Sequence, residues 1–582
     1  MKTVHRWFPS GRYSLLAHTH LPDSYGGIGV VMVPPFGWEE VCSYRPLRFL
    51  GRSLAQRGIP CLRYDLPGTG DSSGGPLDSG LVAAWLRSVT AAAAEIRTVA
   101  GVDDVALFGV GLGAMLAVLA ATCESKFHDL ILWGALPTGR AMLRELRAYA
   151  NMERWEYTTP NAPAPPQIMA GFEVGGFLIT PQTQRDLEAI DLTAISGLGG
   201  RRVMILSRDE IPPDARLVRA LDSCGCDLRL ERGAGYAAMM AVPNESVPPP
   251  PSTAQAIAEF LESQPLTHCP EVHIEEAAAT LDSGESPIVE RVSTIGSSMF
   301  GILSEPASDT APSDCCLLFL NAGGVRHSGP NRMWVDAARR HAARGIASFR
   351  LDLPGIGESE GDHNLDIPSL YQEQLVEQVE LVIGSLRTRY GFRRFAVIGL
   401  CSGAFWAFHA AIRNSDICAA VLLNPRLFFW DPQVDRRRLL RRNATRLTNL
   451  SEWSRMIRGG MQLENVKRTA RIMFDRSHAI WTGAFVKEQI PAKKMAEAWK
   501  AIGRNGTSMT LVFTEGEPLL CEMEQEQQMP PAGNARVRLV RVPNAGHTFR
   551  PQWSQQLAHE LIDFEIESAV HRSLAEAVLR DA

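Results

Sequence analysis

Three residues late in the chain have the types and the order needed to handle an acyl group: Cys401, Glu517 and His547. Cys401 is the centre of "GLCSG", residues 399–403, directly after the apolar run Phe395-Ala396-Val397-Ile398. That pattern reads as a strand running into a glycine-framed turn and then a helix. So tight a turn excludes bulk at its flanks and holds the central residue in a strained conformation with its side chain projecting. The helix that follows aims its N-terminus at the sulfur, which favours a thiolate or an oxyanion. Glu515 and Glu517 close the strand "MTLVFTEGEPLL", and His547 follows the strand in "ARVRLVRVPNAGHTF". The chain order is therefore nucleophile, acid, histidine.

Glu517 is the first choice of acid, because "ILSRDEIP" earlier in the chain aligns with "VFTEGEPL" and sets Glu210 opposite Glu517. Glu515 is the alternative acid, and Asp431 a third. An oxyanion needs two backbone N–H donors. Ser402, next to the sulfur, supplies one; Ala322 or Gly323 in "NAGG" supplies the other. Each residue also has a plainer reading: a small buried thiol where a helix packs on a sheet, a loop histidine, two solvated glutamates.

The elements that must position these groups occur twice. "LRYDLPGTGDSSG" starts at Leu62 and "FRLDLPGIGESEG" at Phe349. Each follows an amphipathic stretch ending in "QRGIP" or "ARGIA", and before that an apolar strand and glycine loop, "VVMVPPFG" or "LLFLNAGG". In the second copy Tyr371, Leu375, Val376, Val379, Val382, Ile383 and Leu386 share one helical face. Strands alternating with helices predict a mostly parallel sheet flanked by helices in each half, an α/β class. The acidic, unpatterned "HIEEAAATLDSGESP" reads as a linker. The expected division is residues 1–264, a linker at 265–284, and 285–582. A helical lid is expected at about 426–507, carrying "RRRLLRR", Trp453, Met456, Met461 and Trp481.

The first copy of the turn is "GVGLG", residues 109–113, with Gly111 where the second has Cys401. Its later loop reads "GAGYAA" against "NAGHTF", so Tyr236 stands in the place of His547. Two of three chemical positions are missing together. The first half thus reads as a degenerate copy kept for packing, substrate coverage or partner docking; a separate chemistry of Asp209, Glu210 or Tyr236 is the other reading.

These motifs resemble the α/β-hydrolase superfamily, in tandem across nearly the whole chain. The second half is similar to bacterial members with "LNAG", "RLDLPGIGES", "GLCSGA" and "LLNPRLFFW", which the resemblance associates loosely with exopolysaccharide or secondary-metabolite biosynthesis. Most of the superfamily has serine at the turn. Cysteine there is similar to some thioesterase domains, acyl shuttles between carrier proteins, and dienelactone hydrolases. The chemistry of sulfur points the same way, since a thiolate exchanges one thioester for another at little cost. The expected function is acyl transfer through acyl-Cys401, from a thioester on a carrier protein or coenzyme A to an acceptor or water. The alternatives are a carboxylic ester, lactone or amide hydrolase, and a non-catalytic binding or scaffold protein.

Bulk properties agree. A chain of 582 residues needs more than one core. With 45% hydrophobic and 21% charged residues and a net charge of −5, the expectation is a globular protein that binds no nucleic acid and spans no membrane. Scattered cysteines, 11 in all, suit reduced thiols in a cytoplasmic protein. Cys224-x-Cys226 and Cys315-Cys316 lack a second pair at zinc spacing, so neither a metal nor a cofactor is expected. A homo-oligomer is left open.

Overall fold

The computed structural model describes residues 1–157, 169–241, 251–261, 267–268, 278–282, 284–296, 298–307, 313–362, 368–430, 492–531 and 535–581. Strand-forming runs in the first half are β1 Lys2–Ser10, β2 Tyr13–Leu21, β3 Ile28–Val33, β4 Cys61–Tyr64, β5 Asp104–Val110, β6 Asp129–Trp133, β7 Arg202–Leu206 and β8 Asp227–Glu231. They form one sheet in the order β1-β2-β4-β3-β5-β6-β7-β8. Only the β1–β2 and β2–β4 pairings are antiparallel. Every residue of β3 is buried, as a central parallel strand covered on both faces requires. Helices α1 Trp38–Ala55, α2 Leu81–Ala100 and α3 Leu112–Cys123 follow β3, β4 and β5.

The second half repeats the plan. Its strands are β9 Ala278–Asp282, β10 Pro287–Ile295, β11 Met299–Pro306, β12 Cys315–Phe319, β13 Ala347–Leu351, β14 Arg394–Leu400, β15 Ile417–Leu423, β16 Ser508–Thr514 and β17 Val537–Val542. The sheet order is β9-β10-β11-β13-β12-β14-β15-β16-β17, the first half's order with one strand added at the edge. Its helices are α4 Met333–Ala343, α5 Glu373–Tyr390, α6 Ser402–Arg413, α7 Ala492–Asn505 and α8 Gln552–Asp581. Helix α5 buries Leu375, Val376, Val379, Val382, Ile383 and Leu386, the apolar face read from the sequence. Tyr371 lies just before it, in the 3₁₀ turn Pro368–Tyr371.

Two expectations change. The stretch 265–284 is tied at both ends: Thr267–His268 pairs with Ser24–Tyr25, and β9 pairs with β10. Open sheet edges offer unpaired N–H and C=O groups, and a small acidic segment without a hydrophobic pattern can still pair with them. The lid range also shrinks at its C-terminal end. Helix α7 buries Met495, Ala498, Trp499 and Ile502, with Trp499 in ring contact with Phe408 and Phe428, so it is a core helix. Residues 431–491, with Asp431 and the basic run, lie outside the described residues.

The halves meet across a polar seam of buried charges. Arg63, in β4, pairs with Glu358 at 2.8 Å. Its counterpart Arg350, in β13, pairs with Asp71 at 3.2 Å. Arg63 and Arg350 occupy equivalent places in the repeat, as do Asp71 and Glu358, so each half offers the other the same two groups. The repeated "RxDLPGxG(D/E)S" segment is thus the docking surface of an internal pseudo-dimer. A small apolar patch accompanies it, with Leu16 from β2 against Val292, Phe300 and Ile302.

Candidate active site

Cys401 caps the N-terminus of α6 with φ 59° and ψ −112°. Few L-residues adopt this conformation, and the glycines around it show why the turn permits it. A Cβ on Gly399 would collide with the Gly403 carbonyl, and one on Gly403 with the Asn321 carbonyl of the neighbouring loop. The two glycines therefore let strand, helix and the "NAGG" loop close around the half-buried sulfur.

His547 stands on the loop after β17 and acts on the sulfur, lowering the thiol's pKa. Its Nδ1 lies 2.8 Å from Glu517 Oε1. Glu517 is buried at the start of a helix, Pro518–Gln525, and Thr514 Oγ1 donates to the same oxygen at 3.3 Å. Glu515 points into solvent and receives only a long contact, 3.4 Å, from the Asn544 N–H. The two glutamates are two residues apart across a turn, and only Glu517 is carried back into the site. Asn424, with φ 43°, donates to the His547 carbonyl at 2.8 Å and accepts from the Thr514 N–H at 2.8 Å. It thereby ties the histidine loop to β16.

The charges fit a thiolate–imidazolium pair. Burial works against ionisation of Cys401, but the hydrogen bond and charge of His547, then the Arg426 charge and a hydrogen bond from Tyr371, hold the thiol below its ordinary value. Burial likewise opposes the charge on His547. Hydrogen bonds to Cys401 and Glu517, with their charges, nonetheless carry it up to about 10. Tyr371 is buried, stacked on Trp430 and edge-on to Phe405. Sequence reading placed Tyr371 on a helix face and left Arg426 and Asn424 without a role. No spacing rule links these residues to position 401.

Ser402 is fully buried, and its Oγ accepts the Gly323 N–H at 2.8 Å. The Gly323 donor is thus already engaged, a correction to its expected availability. The Ser402 N–H remains at the first turn of α6, and Ala322 lies buried beside Gly323.

In the first half Gly111 keeps nearly the same backbone, φ 54° and ψ −117°. A side chain at Gly111 would strike Glu39 Oε2. Glu39, from α1, thus occupies the space that a side chain at position 111 would take and accepts from Tyr236 Oη at 3.1 Å. Burial pushes the Glu39 carboxyl up, against the pull of Arg208 and the Tyr236 hydrogen bond. Glu210, expected opposite Glu517, is exposed and paired with Arg232. Asp209 instead holds the Tyr236 loop, accepting from the Gly235 and Ala237 N–H groups.

The alpha/beta hydrolase family profile matches residues 30–273 and again 317–560. The chain belongs to the alpha/beta hydrolase family, twice over. No curated protein matches it. Among solved structures, the family member is similar to Est1E from Butyrivibrio proteoclasticus with ferulic acid, at 18% identity and a TM-score of 0.32, over 44% of this chain and 97% of that one. It is similar to DcsB in complex with its substrate analogue, at 14% identity and 0.33, over 45% and 98%. It is also similar to the Pyrococcus furiosus esterase PF2001, at 13% identity and 0.30, over 51% and 91%. At these TM-scores the likenesses say nothing of the chemistry.

Among the described residues, one grouping has metal-like spacing: His5, His18 and Glu358, within 4.8 Å. Its carboxylate already pairs with Arg63 at 2.8 Å and Arg48 at 3.5 Å, two cations that repel a metal ion. Cys224 and Cys226 each donate to a backbone carbonyl, of Ile195 and Leu198. Among the described residues no helix is long and apolar enough to cross a membrane.

Proposed function

We propose that the second half transfers an acyl group from a thioester, on a carrier protein or coenzyme A, through an acyl-Cys401 intermediate to an amine, thiol or water. The observation that carries this reading is the linked set Cys401–His547–Glu517, with the thiol lowered and the imidazole raised. Those two shifts favour a standing thiolate, the form in which sulfur attacks. Cys401 Sγ adds to the thioester carbonyl. Collapse breaks the bond to the donor sulfur, which leaves with a proton from His547 Nε2. The acceptor then attacks the new thioester, giving its proton back to His547, and Cys401 leaves as thiolate. Glu517 keeps the imidazole oriented and favours its charged form.

The Ser402 N–H is one donor for the oxyanion, and Ala322 in the loop beside it is the candidate for the second. The Gly323 N–H serves only after leaving Ser402 Oγ. The test is mass spectrometry of the Cys401 peptide after exposure to an acyl-coenzyme A and to an acylated carrier protein. Acyl-Cys401 that decays on adding an amine or thiol supports transfer. Turnover of simple esters with no preference for thioesters supports the hydrolase reading instead. No acylation of Cys401 by either donor refutes transfer from a thioester, and the absence of ester turnover as well refutes the hydrolase reading.

A further inference from the structure

In that reading the first half has no chemical task, yet beyond the polar seam it also contacts the two loops that flank Cys401. One is the oxyanion loop, residues 321–324, with its continuation. Arg326 reaches into the first half, meeting Asp65 at 3.0 Å and Glu40 at 2.9 Å, with its guanidinium 4.0 Å over the Tyr44 ring. His327 Nε2 lies 2.7 Å from Asp71, and its Nδ1 lies 2.7 Å from Asp352. Asp352 in turn accepts from Asn321 Nδ2 at 2.9 Å. A continuous run of hydrogen bonds thus leads from Asp71 of the first half to Asn321, the neighbour of Ala322.

The other loop carries His547. Arg550, three positions later, lays its guanidinium 4.0 Å over the ring of Trp38 in the first half. The Gln552 N–H donates to Glu173 at 2.9 Å, and its side-chain amide donates to the Gly176 carbonyl at 2.7 Å. Glu173 and Gly176 belong to a hairpin of the first half, Phe172–Val174 and Phe177–Ile179. Asn331 joins the two loops, donating to the Arg550 carbonyl at 3.2 Å. Gly176, at φ 84°, packs so closely that a Cβ would collide with both Asn331 and that carbonyl. The histidine loop is in need of such support. Asn544 and Phe549 hold positive φ values, 59° and 51°, which persist only where surrounding contacts fix them.

We propose that the first half is a positioning partner for the reaction at Cys401. Trp38 and the hairpin Phe172–Ile179 set the histidine loop, and Asp71, through His327, sets the oxyanion loop. The proposal rests on the reading of Cys401 as nucleophile. A pair of reacting groups tolerates only about 0.5 Å of misplacement. A surface that supplies such alignment is selected for its packing, which explains how the first half can lack a nucleophile and a base and still be kept.

The test uses the full chain with Gly176→Ala, Glu173→Ala, Glu173→Gln and His547→Ala. The readout is the pH profile of iodoacetamide alkylation at the Cys401 peptide, with thermal melts alongside. The unmodified chain should show a midpoint below the ordinary thiol value that His547→Ala raises. Gly176→Ala should raise it too, and alkylation at pH 7 should slow about tenfold for each pH unit by which the midpoint rises above 7. Glu173→Ala should move it less, and Glu173→Gln not at all, because the amide oxygen still accepts the Gln552 N–H. Glu173→Ala adds no atoms and carries the test if Gly176→Ala does not fold. Profiles of Gly176→Ala and Glu173→Ala that superimpose on the unmodified one, while His547→Ala still moves it, overturn the positioning role alone. An unmodified chain without a His547-dependent profile overturns the nucleophile reading, and the positioning role with it.

Discussion

Gly111 and Cys401 sit in the same backbone conformation at the same turn, and what surrounds them is opposite. Around Cys401 a histidine and a tyrosine hydroxyl act on the sulfur, and a buried glutamate holds the histidine. At Gly111 a carboxylate from α1 has moved into the space, held by Tyr236 in the place of the histidine. The strained turn is therefore not maintained by chemistry. In both halves its glycines admit backbone at distances that no Cβ would allow: Gly113 against the Val33 carbonyl, Gly403 against that of Asn321. Packing of a helix onto a sheet is enough to keep the turn at Gly111, where no side chain stands at the apex and Glu39, held by Tyr236, takes up the space.

Removing the chemical half of the contrast should have the largest effects. Cys401→Ala should abolish acyl-enzyme formation with little change in thermal unfolding, since Gly111 shows that the turn accepts a smaller residue. His547→Ala takes away both the proton carrier and the cation beside the thiolate, and general-base losses are on the order of 10²–10⁴-fold in turnover. Glu517→Gln should cost less, on the order of tenfold, because a lowered thiol depends less on the acid than a hydroxyl does. Glu515→Gln should leave single-turnover acylation unchanged. A Glu515 effect larger than that of Glu517 would reverse the assignment.

The seam joining the halves comes next in size. Arg63→Met leaves Glu358 buried without its closest cation, and breaking such a pair costs about 3–5 kcal/mol. Denaturant titration of the full chain measures this. An unchanged midpoint would show that Arg48 and the Tyr44 hydroxyl hold Glu358 without Arg63. An effect of similar size is expected from pH. Burial disfavours charge on His327, but Asp71 and Asp352 carry its pKa from 6.5 up to about 10. Arg326 and Arg350 lie close by on the Asp71 carboxylate, and Phe300 covers the ring. A raised value means that the stabilisation is complete below pH 6.5, declines above it and is gone once the pH passes about 10. Melting temperatures taken from pH 6 to 10.5 should fall along that course, and His327→Gln should flatten it. An identical slope in the variant would show that His327 does not set it. The smallest expected change is that of Gly111→Cys combined with Glu39→Ala: room for a side chain, and still no acylation at residue 111, because Tyr236 supplies no base.

The sequence alone determined the two α/β copies, the glycine-framed turn and the order of cysteine, acid and histidine. These rest on local rules: strand and helix periodicity, steric demands within five residues, and repetition of the same string. The apolar face of α5 was legible for the same reason. Tertiary structure decided which side chains meet. It set Glu517 against His547 and turned Glu515 outward. It brought Tyr371, Arg426 and Asn424 to the site, engaged the Gly323 N–H with Ser402, and placed Glu39 at Gly111. It also showed "RxDLPGxG(D/E)S" to be the surface on which the halves dock, a role visible in sequence only as arginines and acids beside apolar strands. Such contacts join residues tens to hundreds of positions apart. Their geometry follows from strand order and from the packing of one half on the other, which no local spacing encodes.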